Sequence, residues 1–364
     1  MTKPRVLVAM SGGVDSSLTA ALLVEQGYEV IGATMEIWPL DTPLPAGETG
    51  CCSLSAVEDA RRVANRLGIP YYVLNFRDIF GREVIDYFVD EYLHGRTPNP
   101  CIACNQKIKF AAFLNRARDL DCQYMATGHY AKTFFDAGRG RYLLARAKDL
   151  NKDQTYVLYG FTQQELSRVL LPLGDYTKPD VRRMAAERGL ATAGKPESQE
   201  ICFVTDNDYR RFLQEKAGDQ IKPGPFLNTS GQVLGRHQGL AYYTVGQRRG
   251  LNLALGYPVY VVKIDPARNA VIVGTFDELK TNSLVAAQNN FILIDDLHEP
   301  LMVGAQIRYN ARPVKAKISP LPEGKVLVEF DESQRAVTPG QAVVYYQNDL
   351  VVGGGVIESG TGPE

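Results

Sequence analysis

The chain has 364 residues, 45% of them hydrophobic and 22% charged, with 40 Lys and Arg against 41 Asp and Glu. That length allows two or three domains with a sizeable core, and no apolar run approaches the ~20 residues of a membrane span. A net charge of −1 excludes nucleic-acid binding by bulk charge, so any RNA surface must come from local segregation of basic residues.

The N-terminus leads from Pro4 straight into an apolar run without a hydrophobic leader or cleavage site, so a cytoplasmic location is expected. Six cysteines in such a chain argue against a disulfide framework. Val6–Met10 reads as a strand, Ser11-Gly12-Gly13 as a tight turn, and an amphipathic helix follows and stops at Gly27. The glycines let the backbone approach a ligand, and Ser16 and Ser17 open the helix. The hydroxyls and N–H groups are expected to face one anion, most naturally a phosphate. No Lys follows the glycines, so this is not a Walker A loop.

Tyr28–Met35 is a near-continuous apolar run, as in a strand buried on both faces. Residues 39–50, with three prolines and two glycines, read as a loop closed by Cys51-Cys52. A helix is predicted from Ser55 to Leu67, a strand over Tyr71–Phe76, and an amphipathic helix over 80–94. Strands alternating with helices imply a parallel α/β sheet with ligands at the carboxyl ends of its strands.

The stretch Thr97-Pro98-Asn99-Pro100-Cys101-Ile102-Ala103-Cys104 places a CxxC pair on what its prolines mark as a rigid loop. A basic helix with Lys107, Lys109, Arg116 and Arg118 follows, a setting that favours thiolate. The pair reads as nucleophile, soft-metal ligands or small hydrophobes. Tyr124–Ala131 reads as a strand running into Gly128-His129, with Cys122 in the core before it. A turn at 136–140, a strand over Arg141–Ala147 and a polar stretch at Asn151–Tyr156 come next. The helix at 178–189 carries Lys178, Arg182, Arg183 and Arg188, which suit either RNA backbone or solvent. Cys202 follows a polar, loop-like stretch.

After a short helix at Tyr209–Lys216 the texture changes. Short β-type runs separated by Gly and Asx turns predict a small linking domain and a β-barrel. The expected domains are residues 1–205, 206–278 and 279–364. Arg248-Arg249, and Arg308, Arg312, Lys315 and Lys317 around Tyr309, form basic–aromatic stretches suited to phosphate contact and base stacking.

The blocks SGGVDSS at 11–17, TPNPCIACNQKIKF at 97–110, ATGHYA at 126–131, KDQTY at 152–156, SQEICF at 198–203, GQRRGL at 246–251, IRYNARP at 307–313 and TPGQAVVYY at 338–346 occur in this order. Together they resemble the bacterial tRNA-specific 2-thiouridylases, the MnmA/TrmU family of the ATP-pyrophosphatase (PP-loop) superfamily, over essentially the whole chain. The resemblance implies a Rossmann-like PP-loop domain, a small central domain and a C-terminal β-barrel. It implies ATP bound over Ala9, Met10, Ser11, Gly12, Gly13, Val14, Asp15 and Ser16, with Met35 and Gly128 near the adenosine and Mg²⁺ assisted by Asp15. Uridine O2 is then adenylated in tRNAs for Lys, Glu and Gln.

By the same resemblance Cys202 carries a persulfide supplied by a cysteine desulfurase or sulfur relay, and Cys104 assists its release. Asn99, Pro100 and Cys101 border the target base, and His129, Lys152, Asp153, Gln154, Arg308, Tyr309 and Gln341 contact tRNA. Many members carry Asp where this chain has Cys101. An alternative is therefore that Cys101, Cys104 and Cys202 hold a [4Fe–4S] cluster whose open iron binds sulfide.

Overall fold

A computed structural model describes residues 3–38, 54–195, 201–204 and 206–360. The loop expected over 39–50, Cys51-Cys52 and residues 198–200 of the SQEICF block lie outside the described residues. The chain divides into two compact units. One comprises residues 1–84, 101–207 and 349–351; the other comprises 85–100, 208–348 and 352–364.

The first unit opens with β1 (Arg5–Ala9), α1 (Val14–Glu25), β2 (Glu29–Glu36), α2 (Leu54–Leu67), β3 (Tyr71–Asn75) and α3 (Arg77–Phe80). Where the periodicity predicts one helix over 80–94, a π-helical stretch, Gly81–Asp86, separates α3 from α4 (Tyr87–Leu93). The next helical segment is α5 (Pro100–Ala103), continued by a π-helical stretch, Cys104–Ala112, and by α6 (Phe113–Asp119). The CxxC pair is therefore helical and not on a loop. Proline is tolerated in the first turn, where its missing N–H has no intrahelical acceptor, so Pro100 starts the helix instead of preventing it.

β4 covers only Tyr124–Ala126, and Thr127-Gly128-His129 already lies beyond it. The hairpin β5 (Lys132–Asp136) and β6 (Arg141–Ala145), the short α7 (Gln163–Leu166) and β7 (Val169–Leu170), and α8 (Lys178–Glu187) complete this part. β1 pairs in parallel with β2 on one side and β4 on the other, and the full order is β3-β2-β1-β4-β7. Val6, Leu7 and Val8 are wholly buried, which explains why β1 is apolar without alternation. The chain moves from β1 outward to β3, then returns to the opposite side of β1 at β4. That reversal opens a crevice between the carboxyl ends of β1 and β4.

In the second unit, Phe88 and Tyr92 of α4 pack on Phe212 and Tyr209 of α9 (Tyr209–Ala217). A four-stranded sheet follows, made of β8 (Gly224–Leu227), β9 (Val233–His237), β10 (Tyr260–Asp265) and β11 (Ala270–Gly274) in the order β10-β11-β8-β9. The last strands are β12 (Lys280–Phe291), β13 (Leu301–Gln306), β14 (Val314–Pro320), β15 (Val326–Arg335), β16 (Ala342–Gln347) and β17 (Leu350–Ser359). They run β12-β15-β14-β13-β16-β17, and β17 pairs back onto β12. The result is a closed six-stranded barrel, which leaves no edge among these strands.

Candidate active site

The turn after β1 sits at the mouth of the β1–β4 crevice. Gly12 has φ +68°, and a Cβ there would lie 2.2 Å from the Ala56 carbonyl oxygen at the start of α2. Only glycine fits both the left-handed backbone and the close approach. Gly13 is the N-cap of α1, and no side chain caps that end. The first-turn N–H groups of α1 therefore point toward the crevice with the positive end of the helix dipole behind them. On the opposite wall Gly128 follows β4, and a Cβ there would come within 2.9 Å of Asp15 Cβ and Ser16 N.

The two serines part company. Ser16 Oγ accepts the Ser11 N–H at 3.1 Å and lies 3.3 Å from Ser11 Oγ, so it shapes the turn. Ser17 is wholly buried and donates back to the Gly13 carbonyl at 2.8 Å, so its hydroxyl does not face the anion position. Ala9 ends β1, and the Met10 carbonyl accepts the Thr34 hydroxyl at 2.6 Å. Tyr71 OH lies 2.6 Å from the same Thr34 oxygen, and burial raises its pKa above the usual phenol value. Met35 is half-buried on β2.

Sequence reasoning missed the surroundings of Asp15. Lys178, the first residue of α8, is buried and donates to both Asp15 carboxylate oxygens at 2.8 and 2.7 Å. It is thus neither an RNA contact nor a solvated face residue, in contrast to Arg183 further along the helix, which is exposed. Tyr130 OH donates to Asp15 Oδ1 at 2.7 Å. Lys195 Nζ donates to the Gly12 carbonyl at 3.2 Å and to Asp59 Oδ2 at 2.7 Å. The signal available was the lysine opening a capped helix, which the basic residues after it masked.

The residues expected at tRNA are mostly engaged inside the fold. Gln154 Oε1 accepts the Tyr130 N–H at 2.9 Å, and the Gln154 N–H donates to the Tyr130 carbonyl at 2.9 Å. Asp153 accepts the Ala147 N–H at 2.9 Å and the Thr155 hydroxyl at 2.5 Å, and burial raises its pKa despite those bonds. Lys152 is half-buried in the same stretch. His129 is buried at 8% exposure against Phe110, with Nδ1 2.7 Å from Thr127 Oγ1. Burial, then the Lys109 charge, drives its pKa well below the usual imidazole range, so the ring is neutral.

In the second unit Gln341 Nε2 donates to the Thr97 and Pro98 carbonyls at 2.8 and 3.3 Å, next to half-buried Asn99 and buried Pro100. Arg308 donates to the Arg335 carbonyl and, at 2.8 Å, to the Ala336 carbonyl, while Tyr309 is exposed. Lys315 and Lys317 are exposed on β14, and Lys317 pairs with Glu329 at 2.7 Å.

Cys101 is exposed, Cys104 and Cys202 are partly exposed, and Cys122 is buried with its thiol pushed up to about 11. α3 packs on the π-helical stretch that Cys104 begins, and its Phe80 meets Phe203, the neighbour of Cys202, edge-on at 5.9 Å. One short helix therefore touches both cysteine-bearing segments. Among the described residues, however, no group of three or more His, Cys, Asp or Glu side chains is placed to hold a metal.

The family model described as tRNA methyl transferase HUP domain matches residues 4–206, the tRNA methyl transferase PRC-barrel domain 210–275, and the aminomethyltransferase beta-barrel domain 281–357. The chain is 63% identical over 353 residues to tRNA-specific 2-thiouridylase MnmA of Moorella thermoacetica, covering 97% of this chain and 99% of that protein. It is 59% identical to the protein of the same name from Pelotomaculum thermopropionicum, over 99% of this chain and 98% of the relative. The MnmA protein of Acetivibrio thermocellus is 58% identical, with 98% of this chain and 100% of the relative covered. With a glycine-shaped loop at the sheet's switch point and matches from end to end, the chain belongs to the tRNA-specific 2-thiouridylase family.

Proposed function

We propose that the chain activates the 2-oxo group of a tRNA wobble uridine with ATP and replaces it by sulfur, working in the cytoplasm on tRNAs for Lys, Glu and Gln. The observation that carries the reading is the intact loop. Gly12 and Gly128 let α2 and the turn after β4 pack closely against the loop, and the uncapped N-terminus of α1 supplies N–H donors and dipole for the pyrophosphate. The partly exposed carboxylate of Asp15 fits the hard oxygen donors that Mg²⁺ prefers. The cation, when bound, would screen the phosphate charge. The loop residues hold and orient the leaving pyrophosphate.

Uridine O2 attacks the α-phosphorus, the bond to the β,γ-pyrophosphate breaks, and the base carries AMP on its oxygen. This converts an amide-type oxygen into a good leaving group. The terminal sulfur of a Cys202 persulfide, loaded by a cysteine desulfurase or relay protein, then bonds to C2 and AMP departs. The Cys104 thiolate attacks Cys202 Sγ and releases the thiolated base. A Cys104–Cys202 disulfide remains, and a two-electron thiol reductant resets it.

Purified full-length protein with ATP, unmodified tRNA and a persulfide donor tests the scheme. Cys202→Ser and Cys104→Ser are expected to lose 2-thiouridine formation while still releasing tRNA-dependent pyrophosphate. Full thiolation by Cys202→Ser would overturn the assignment. Absence of pyrophosphate release by the unaltered protein would overturn the adenylation step.

A further inference from the structure

Lys178 is held too well for a bystander. The residue is 7% exposed, and its ammonium grips both oxygens of Asp15 at 2.8 and 2.7 Å. It also lies 5.6 Å from the centre of the Tyr130 ring, within cation–π range. Its backbone is fixed by the Thr177–Asp180 capping box and by Asp149, whose Oδ2 accepts the Lys178 N–H at 3.0 Å. Tyr130, the other donor to Asp15, is itself tied down by Gln154. Immobilising a long lysine side chain costs rotamer entropy, so the pair must repay it.

Three donor contacts occupy the Asp15 carboxylate, which has about four lone-pair sites. A divalent cation arriving alone must displace them and then sit beside a buried ammonium. A polyphosphate arriving with the cation brings the negative charge that lets both cations remain.

Resting on the nucleotide reading above, we infer that Lys178 is a resident counterion of Asp15 that competes with the divalent cation, so that metal enters with the nucleotide and not before it. Lys178 is a positioning residue in this sense, acting through Asp15.

The full-length protein is titrated with Mn²⁺ alone, and with Mn²⁺ plus α,β-methylene-ATP, by electron paramagnetic resonance and calorimetry. The unaltered protein is expected to bind Mn²⁺ at least ~10-fold more weakly alone than with the analogue, a coupling of ordinary size. Lys178→Met is expected to bind Mn²⁺ alone about 10-fold more tightly, and the analogue more weakly. Lys178→Arg restores weak metal-alone binding, and Asp15→Asn in the Lys178→Met background abolishes the gain. A purely structural lysine cannot give these opposite signs, since its loss weakens both.

Unchanged Mn²⁺ affinity in Lys178→Met overturns the inference. So does equal Mn²⁺ affinity with and without analogue in the unaltered protein, which decides the matter even if the variant does not fold. Failure of the unaltered protein to bind Mn²⁺ and analogue at all would instead overturn the nucleotide reading beneath it.

Discussion

Gly12→Ala and Gly13→Ala change neighbouring residues of one loop, and the structure separates them sharply. At Gly12 the backbone is left-handed, φ +68°, which costs a non-glycine residue about 1–2 kcal/mol. The new methyl also meets the Ala56 carbonyl oxygen at 2.2 Å, so α2 must retreat by 0.8 Å to reach even 3.0 Å. Overpacking of that kind adds about 1–3 kcal/mol, for a total near 3 kcal/mol. For a unit of this size that lowers Tm by about 6–12 °C.

At Gly13 the backbone is extended, φ −96°, and an added Cβ meets only Ser11 Oγ at 3.5 Å among the described residues. The expected cost is the loss of a glycine N-cap, under about 1 kcal/mol. Thermal unfolding of both variants, with nucleotide binding measured alongside, makes the comparison. Equal melting temperatures, or a Gly12→Ala protein within about 2 °C of the unaltered one, would refute the steric argument.

Other consequences are equally direct. His129 has a folded pKa depressed well below its unfolded value near 6.5, so its contribution is complete above that pH and is lost as pH falls below it. Between pH 6.5 and 5.5 the unaltered protein should lose up to about 1 kcal/mol more stability than His129→Gln, measured by urea unfolding. Glu91 is buried and pairs with Arg96, so Arg96→Met strands a carboxylate. A loss of about 2–3 kcal/mol is expected, below the fully buried case because Arg96 is half exposed, with partial rescue by Glu91→Gln in a double-mutant cycle. Gln341→Ala removes both bonds to the Thr97 and Pro98 carbonyls, and hydrogen exchange over 92–99 should quicken by up to roughly 30-fold, from about 1 kcal/mol per bond.

The strand–loop–helix at the start was legible because its signal is local: buried β1, two glycines and an amphipathic run. Gly12 could be read as special from type alone, yet its close neighbour, Ala56, lies on a different helix. Lys178 illustrates the opposite limit. Its partner Asp15 is 163 residues away, and nothing in a helix rich in Arg marks one lysine as buried. The KDQTY block was recognisable as a block, but its Asp153 and Gln154 serve internal hydrogen bonds that only the folded chain reveals. Pro100 misled in a simpler way, since a proline that forbids a helix interior is welcome in its first turn. β12 lacks a regular polar–apolar alternation along its length. Its pairings with β15 and β17 shift register at several points, and each shift breaks the period of two on which strand reading depends.

The division of the chain also has a consequence for its birth on the ribosome. The polypeptide passes from one unit to the other at Val84–Ile85, Pro100–Cys101, Asn207–Asp208, Asn348–Asp349 and Val351–Val352. The first unit takes its last piece, Asp349–Val351, from near the end of the chain, and the second takes its first, Ile85–Pro100, from near the start. Neither can close during synthesis until almost the whole chain has emerged, so α4 must wait, with Phe88 and Tyr92 uncovered, until α9 is translated. A nascent chain stalled before residue 209 should therefore engage holdase chaperones through that helix, and one extended past Leu240–Tyr242, on which α4 also packs, should not.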